Sequence, residues 1–352
     1  MRMEKKTVLI TTNHPAPYID QWLKKIEEKY TLIALYNKKK DEQKTWKGYR
    51  GHSGYYYEDL NIISLIKLVQ QSDLLIVGGW TNKECFTTIL LGKLFRKKVS
   101  IFTDFPFHQN KYADLFKKIF LYRIIDYVFC ATESTCDYIS EKYKVNCEKV
   151  KLFPYAVNLP KSVPDRVIRN DELIRVFVAN NFIERKGYRI LFEALEKLKK
   201  TEKMNRFMLD IAGHGELFEK YKHMAEENLL PVKFYGWCEQ EEYDSLKERC
   251  DVYIHASLEE PFGIPPLDAM ASEKVVIVSD GVKSTDRLIE NGVNGYIYPA
   301  EDSDRLCEIL SNLNKIDFAR IGEQARKDVI SKYDLSANMK SIEECLLEKR
   351  TR

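Results

Sequence analysis

Several things are missing from this 352-residue chain. No run approaches the ~20 consecutive apolar residues that a membrane-crossing helix needs. The start, Met1-Arg-Met-Glu-Lys-Lys6, leads into a strand pattern without an apolar h-region, so no secretory leader is expected. The eight cysteines form no C-x-x-C pair and no His/Cys cluster at metal-ligand spacing. That argues against zinc ribbons and disulfide scaffolds, and reduced thiols in a cytoplasmic protein are expected. Net charge is only +3, so no nucleic-acid partner is expected; Lys38–Lys40 and Arg96–Lys98 read as solvated faces. There is no low-complexity tract. What remains is 44% apolar and 31% charged, the composition of a globular protein long enough for two cores.

The chain alternates short apolar runs with longer helical patterns, as parallel sheets with crossover helices do. Strands are predicted at Thr7–Thr11, Thr31–Tyr36, Leu74–Val77, Val99–Thr103 and Tyr127–Ala131, and Val150–Val157 closes this half. Residues 158–172, with two prolines, many charges and little periodicity, read as a linker. A second series starts at Ile174–Ala179 and continues through Phe207–Ala212, Val232–Gly236, Val252–Ala256, Lys274–Ser279 and Gly295–Tyr298. From Phe318 on, only helices are expected. In open α/β sheets ligands sit at the carboxyl ends of the strands, so the loops there are where chemistry is sought.

The most informative loop is Ser257-Leu-Glu-Glu-Pro-Phe-Gly-Ile-Pro-Pro-Leu-Asp-Ala-Met-Ala271. Pro265 and Pro266 suit a first helical turn, where a missing N–H costs nothing. N–H groups then gather around Gly263–Ile264 at the positive end of a helix, a site for an anion such as a diphosphate. Glu260 and Asp268 flank it with seven residues between them. Carboxylates there suit hydroxyls of a sugar or a ribose.

This constellation resembles the E-x7-E motif of retaining glycosyltransferases, especially glycosyltransferase family 4, with Asp268 in place of the usual second Glu. The resemblance is strong over 174–300 and loose before 130. It implies an α/β chain of GT-B fold, two doubly wound Rossmann-like domains facing across a cleft. Residues 1–157 would bind the acceptor and 173–335 the nucleotide sugar, with a final helix in 336–352 crossing back to the first domain. It also implies a retaining, metal-independent transfer of a sugar from a nucleotide diphosphate sugar, UDP- or GDP-linked, with no other cofactor. The acceptor would be a hydroxyl of a carbohydrate or lipid-linked molecule in cell-surface polysaccharide or glycolipid synthesis. No D-x-D motif is placed to hold a metal between diphosphate oxygens.

For the donor, the family's Gly-Arg-x-x-x-x-Lys-Gly loop corresponds to Asn180–Gly187. Lys186-Gly187 match, Asn181 stands where the Arg would be, and Arg185 is a candidate replacement. Lys186 and Arg185 are expected to neutralise the diphosphate. Gly213 and His214 lie in a turn resembling the family's Gly-Asp-Gly, and Gly236 and Trp237 lie where the base is expected. Phe262, Gly263 and Ile264 complete the donor set. Glu260 would hold the donor sugar and Asp268 the ribose.

For the acceptor, Asn13, Pro15, Pro17 and Tyr18 resemble an Asn-x-Pro-x-Pro-Tyr loop of some family members. Gly79 and Trp80 form a further turn, with Trp80 a stacking platform, and Asp104 or His108 would orient the acceptor hydroxyl. Tyr112–Arg123 is basic, aromatic and helix-compatible. The reading adopted is a domain helix with its apolar stripe toward the core; the alternative is an interfacial helix at the inner face of the plasma membrane. The alternatives to a glycosyltransferase are a nucleotide-sugar epimerase or phosphorylase of the same architecture, or a non-catalytic nucleotide-sugar-binding partner subunit.

Overall fold

The computed structural model describes residues 5–37, 51–107, 110–157, 159–160, 163, 173–201 and 203–348. His108, Lys38–Lys40 and most of the 158–172 stretch lie outside them. The chain divides into two compact units, Met1–Ala156 with Tyr333–Arg352, and Val157–Lys332.

The first unit runs β1 (Thr7–Thr12), α1 (Pro17–Glu27), β2 (Thr31–Tyr36), β3 (Tyr55–Tyr56), α2 (Ile62–Gln71), β4 (Leu74–Gly78), α3 (Lys83–Leu94) and β5 (Lys98–Thr103). A helical segment follows: α4 (Lys111–Phe116), a π turn (Lys117–Leu121) and α5 (Tyr122–Ile124). Then come β6 (Tyr127–Cys130), α6 (Glu133–Tyr143) and β7 (Val150–Leu152). The strands form one parallel sheet in the order β3-β2-β1-β4-β5-β6-β7. Val8, Leu9 and Ile10 of β1 and Leu74 to Val77 of β4 are buried, as strands covered by helices on both faces must be. Two of these helices are hard to see in the sequence. The apolar run Ile62-Ile-Ser-Leu-Ile-Lys-Leu-Val69 of α2 has no clear polar face, and α6 buries only three side chains.

The second unit repeats the plan with other residues. It runs β8 (Ile174–Ala179), α7 (Tyr188–Lys200), β9 (Phe207–Ala212), α8 (Phe218–Glu227), β10 (Val232–Gly236), α9 (Gln240–Arg249), β11 (Val252–His255), α10 (Ile264–Ala271), β12 (Val275–Ser279), β13 (Tyr296–Tyr298), α11 (Ser303–Asn312) and α12 (Phe318–Tyr333). Its parallel sheet is ordered β10-β9-β8-β11-β12-β13. α7 packs its apolar side, from Ile190 to Leu198, into this unit's core. The last helix, α13 (Ser336–Leu347), belongs to the first unit, where Ile342 and Cys345 join the core beside Trp22 and Phe153. Asn338 and Ser341 fix it by donating to Pro154 O (2.9 Å) and Leu152 O (2.9 Å).

In each sheet the strand order reverses at one place, between β1 and β4 and between β8 and β11. Loops leaving the carboxyl ends diverge there and open a crevice, the usual ligand position in such sheets. All eight cysteines are free thiols. Among the described residues no helix is long and apolar enough to cross a membrane.

Candidate active site

In the second unit, the crevice between β8 and β11 holds a compact polar cluster. Gly263 is the N-cap of α10 at φ +96°, a conformation that a side chain disfavours, and no side chain caps this helix. Pro265 and Pro266 occupy its first turn, where no N–H is lost. The loop before it is fixed by backbone bonds. Glu260 N–H donates to Gly281 O (3.0 Å), Lys283 N–H to Glu260 O (3.1 Å) and Ser284 N–H to Phe262 O (3.1 Å). Glu260 is thereby held as a strand-like bridge to Val282.

Lys186 closes a short 3-10 turn, Glu184–Lys186, and Gly187 follows at φ +68°. A Cβ at Gly187 would lie 1.9 Å from Ala256 O, so only glycine brings this loop against the end of β11. That approach, with Leu258 N–H donating to Arg185 O (2.8 Å), seats the Lys186 ammonium on the Glu260 carboxylate. The two side chains are 9% and 14% exposed.

Glu260 has a second partner, His255 at the end of β11. Asn180 Nδ2 lies 3.2 Å from His255 Nδ1 and can only donate to it, so Nδ1 is an acceptor. The imidazole proton is therefore on Nε2, which donates to Glu260 Oε2 (3.3 Å). Tyr253 Oη lies 3.5 Å from Nδ1 and donates to Ala179 O (3.2 Å). Burial lowers the pKa of His255 despite the Glu260 hydrogen bond, which raises it, and Lys186 lowers it further. Burial alone would raise Glu260, but the His255 hydrogen bond and the Lys186 charge outweigh it and hold the carboxyl far below its usual range. The cluster is thus a neutral imidazole and an ammonium gripping one carboxylate.

The other expected donor residues fall around this cluster with differing fates. Arg185 is exposed, and its Nη1 donates to Glu259 O (3.1 Å). Asn181 accepts from Ile183 N–H (2.9 Å) through its backbone, and the side chain that reaches the cluster is its neighbour Asn180. His214 is exposed and shapes the loop through its carbonyl, which accepts from Phe182 N–H (3.0 Å). Gly213 N–H donates to Gly236 O (2.6 Å), tying two strand-end turns together, and Trp237 is half exposed beyond them. Phe262 is buried, so its side chain anchors the loop rather than offering a ligand surface. Asp268 sits a turn into α10, near enough to the buried phenols of Tyr243 and Tyr253 to add to the upward push that burial gives them. The chain's one D-x-D triplet, Asp302-Ser-Asp304, serves folding: Asp302 caps α11 through Arg305 N–H (2.8 Å) and Asp304 pairs with Lys197 (2.6 Å).

In the first unit, the crevice between β1 and β4 opens into a cavity of about 270 Å³. Asn13, Tyr18, Gly79, Trp80 and Asp104 line it. Pro15 and Pro17 do not; Pro17 starts α1 and Pro15 shapes the loop before it. Asp104 accepts from Tyr155 Oη (3.1 Å). Burial, and then the Asp104 charge, keep that phenol protonated. Trp80 stacks on Phe116 (5.3 Å), with the Lys117 ammonium 5.7 Å from its ring, so one side of the expected platform is already covered. His14, Lys117, Tyr143 and Tyr155 join the lining without any sequence signal.

The expectation for the Tyr112–Arg123 helix holds in part: Leu121 and Tyr122 join the core and Phe116 and Ile124 pack against it, but a second apolar row faces outward. In that row Tyr112, Leu115, Ile119 and Phe120 are exposed. The π segment, five residues long, is bonded i→i+5 rather than i→i+4 and so shifts the phase, with Leu121 and Tyr122 inward and the preceding row outside.

Residues 162–328 match the family model described as glycosyl transferases group 1. An uncharacterized 41.2 kDa protein of the cps region of Klebsiella pneumoniae is 22% identical over 74% of this chain and 67% of its own length. The amylovoran biosynthesis glycosyltransferase AmsK of Erwinia amylovora is 26% identical over 58% of this chain and 50% of its own length. The alignments thus span two thirds of the first curated relative and half of the second. HepE of Anabaena, solved in complex with UDP and glucose, superposes with a TM-score of 0.73 at 16% identity, covering 96% of this chain and 99% of that one. By this match residues 162–328 carry a group 1 glycosyltransferase domain, and the two parallel-sheet units have the GT-B fold.

Proposed function

We propose that the chain transfers a hexose, with retention, from a UDP- or GDP-sugar to a hydroxyl of a carbohydrate or lipid-linked acceptor in surface-polysaccharide or glycolipid synthesis. The observation that carries this reading is the Lys186–Glu260–His255 cluster beside the uncapped end of α10. Relatives from a cps region and from amylovoran synthesis, and a neighbour solved with UDP and glucose, support the donor and the polysaccharide setting, with UDP favoured over GDP.

The reaction breaks the bond from the anomeric carbon to the diphosphate oxygen and forms one to the acceptor oxygen on the same face. The acceptor proton passes to the departing phosphate, so no side-chain base is needed. Negative charge grows on the diphosphate, and Lys186, Arg185 and the N–H groups at Gly263–Ile264 stabilise it. These cations do the work that a metal does in other transferases. Glu260 orients the sugar hydroxyls, and His255 holds Glu260 in place. The first-unit cavity, with Asp104, takes the acceptor. The transfer takes place on the cytoplasmic side, where nucleotide sugars are made, and a lipid-linked acceptor would bring the protein to the membrane's inner face.

The test combines ligand-induced stabilisation with turnover. A nucleotide sugar at ~100 Kd should add roughly 2.7 kcal/mol of stability. One UDP-sugar is expected to stabilise the protein equally with and without chelator. The product's anomeric configuration, read by NMR, should match the donor's. Stabilisation by no nucleotide would sink the donor site, and an inverted product would sink the retaining mechanism.

A further inference from the structure

We propose that the outward face of the Lys111–Ile124 segment, together with the adjoining row of α3, is a docking surface for an anionic lipid bilayer. Tyr112, Leu115, Ile119 and Phe120 are 87%, 55%, 54% and 39% exposed. Phe86 of α3 lies 6.0 Å from Phe116 and 6.5 Å from Phe120, so α3 runs alongside the segment. Leu90 and Leu94 follow Phe86 at four-residue steps along that helix and are exposed too. Two neighbouring helices thus carry six of the thirteen large apolar side chains exposed among the described residues, which makes a patch rather than scattered singles.

Charge identifies the occupant. Lys111, Lys118 and Arg123 are exposed within the same segment. Its one carboxylate, Asp114, is turned inward and held by Lys142 (2.7 Å), Tyr143 Oη (2.6 Å) and Lys117 (3.4 Å). The outer face therefore presents aromatic and aliphatic groups rimmed by cations, with no exposed acid on the segment. A helix of this kind sinks its apolar side to the headgroup boundary, and its cations pair with anionic lipid. A protein partner of equal fit would need an acidic rim around an apolar groove, whereas an anionic bilayer offers negative headgroups over an apolar interior to any such face.

The placement has a consequence for the acceptor, which rests on the function proposed above. Lys117 and Tyr122, on the inner side of the same segment, line the first-unit cavity. Docking would set that cavity beside the headgroups, where a lipid-linked acceptor projects its sugar.

The experiment is co-sedimentation of the full chain with phosphatidylcholine vesicles, with and without phosphatidylglycerol, at low and high salt. Wild type should partition onto the anionic vesicles only, and less at high salt. Lys111→Glu/Lys118→Glu/Arg123→Glu should lower partitioning roughly fivefold for each cation removed. Leu115→Ser/Ile119→Ser/Phe120→Ser should abolish it. Both variants should keep the wild-type melting temperature and UDP stabilisation, which read the fold and the second unit separately from the patch. Equal binding to neutral vesicles, or wild-type binding by both variants, would overturn the proposal. So would self-association that both variants abolish without any vesicle binding, since the face would then join two copies of the chain. Loss of UDP stabilisation with vesicle binding intact would count against the donor site and not against this surface.

Discussion

The two crevices of this protein stand on the same strand order and differ in almost everything else. Between β1 and β4 lies a cavity of about 270 Å³ walled by Trp80, Tyr122, Tyr143 and Tyr155. Between β8 and β11 the same topology holds a carboxylate gripped by a lysine and a histidine. The sheet decides where a ligand goes, and the loops decide what it meets. An aromatic-walled cavity suits sugar rings, whose C–H faces stack and whose hydroxyls reach a few polar groups such as Asp104. A charged cluster at a helix start suits a diphosphate and the sugar attached to it. The first unit is thus arranged for shape and the second for charge.

The hardest blow to the charged crevice is Lys186→Met. It leaves the buried Glu260 carboxylate with only a neutral imidazole. Stripping one partner from a buried pair commonly costs about 3–5 kcal/mol, and loss of one charge-stabilising contact commonly costs about 10²–10³ in rate. A large fall in both melting temperature and kcat is expected. Glu260→Gln combined with Lys186→Met should recover much of the stability and none of the rate. If the single variant keeps wild-type kcat, the contrast between the crevices fails.

The charged crevice should also respond to acid. His255 is buried with its pKa lowered from 6.5, so the unfolded chain takes up this proton more readily than the folded one. Stability is full above pH 6.5 and falls as pH drops through the window beneath it, by up to about 1.4 kcal/mol per pH unit. Glu260, also lowered, adds a second loss that starts only near its unfolded value of 4.5. His255→Gln keeps a hydrogen-bond donor and removes the first loss alone. Melting curves from pH 7 to 5 should slope for wild type and flatten for the variant. Because His255 acts through Glu260, the variant should also lower kcat more than it raises the donor KM. An unchanged slope would place the acid response elsewhere.

The first crevice predicts a smaller effect of a different kind. Tyr155→Phe removes the donor to Asp104 and leaves that carboxylate facing the cavity with one partner fewer. About 1 kcal/mol of stability should go with it. Acceptor KM should change while donor binding, followed by UDP stabilisation, stays as it was. A shift in donor affinity would show that the two crevices are not separate in function.

These contrasts were unequally legible in the sequence. The Glu260–Asp268 loop shows itself because spacing, glycine and prolines are local facts, and local facts survive without coordinates. His255 does not: a lone histidine in Val252-Tyr-Ile-His255 reads as core until Asn180, 75 residues earlier, is seen against it. Lys186 reads from its loop as facing the ligand, and its pairing with Glu260 depends on how closely Gly187 lets two loops approach. The apolar row from Tyr112 to Phe120 has helical spacing whether it faces in or out. Only the π turn and the packing of Phe116 on Trp80 decide between them. Strand order, too, is not written in apolar runs, although alternation alone already implied parallel sheets.

The smallest effect tests the departure that the sequence made plain. Asp268 stands one methylene short of the usual Glu, a turn into α10 and close to the buried phenols of Tyr243 and Tyr253. If its partner is a ribose, Asp268→Glu moves the carboxylate by about one bond length and exchanges one hydrogen-bond geometry for another. Such an exchange is worth about 0.5–1.5 kcal/mol, or several-fold in donor KM, with kcat nearly unchanged because the contact is equal in ground and transition states. Asp268→Asn should weaken UDP more than UMP if the acid also steadies the diphosphate, and both alike if it serves only the ribose. A kcat that falls with either variant would move Asp268 from holding the donor to the reacting centre, and Glu260 would no longer be the one acid of the cluster that matters for rate.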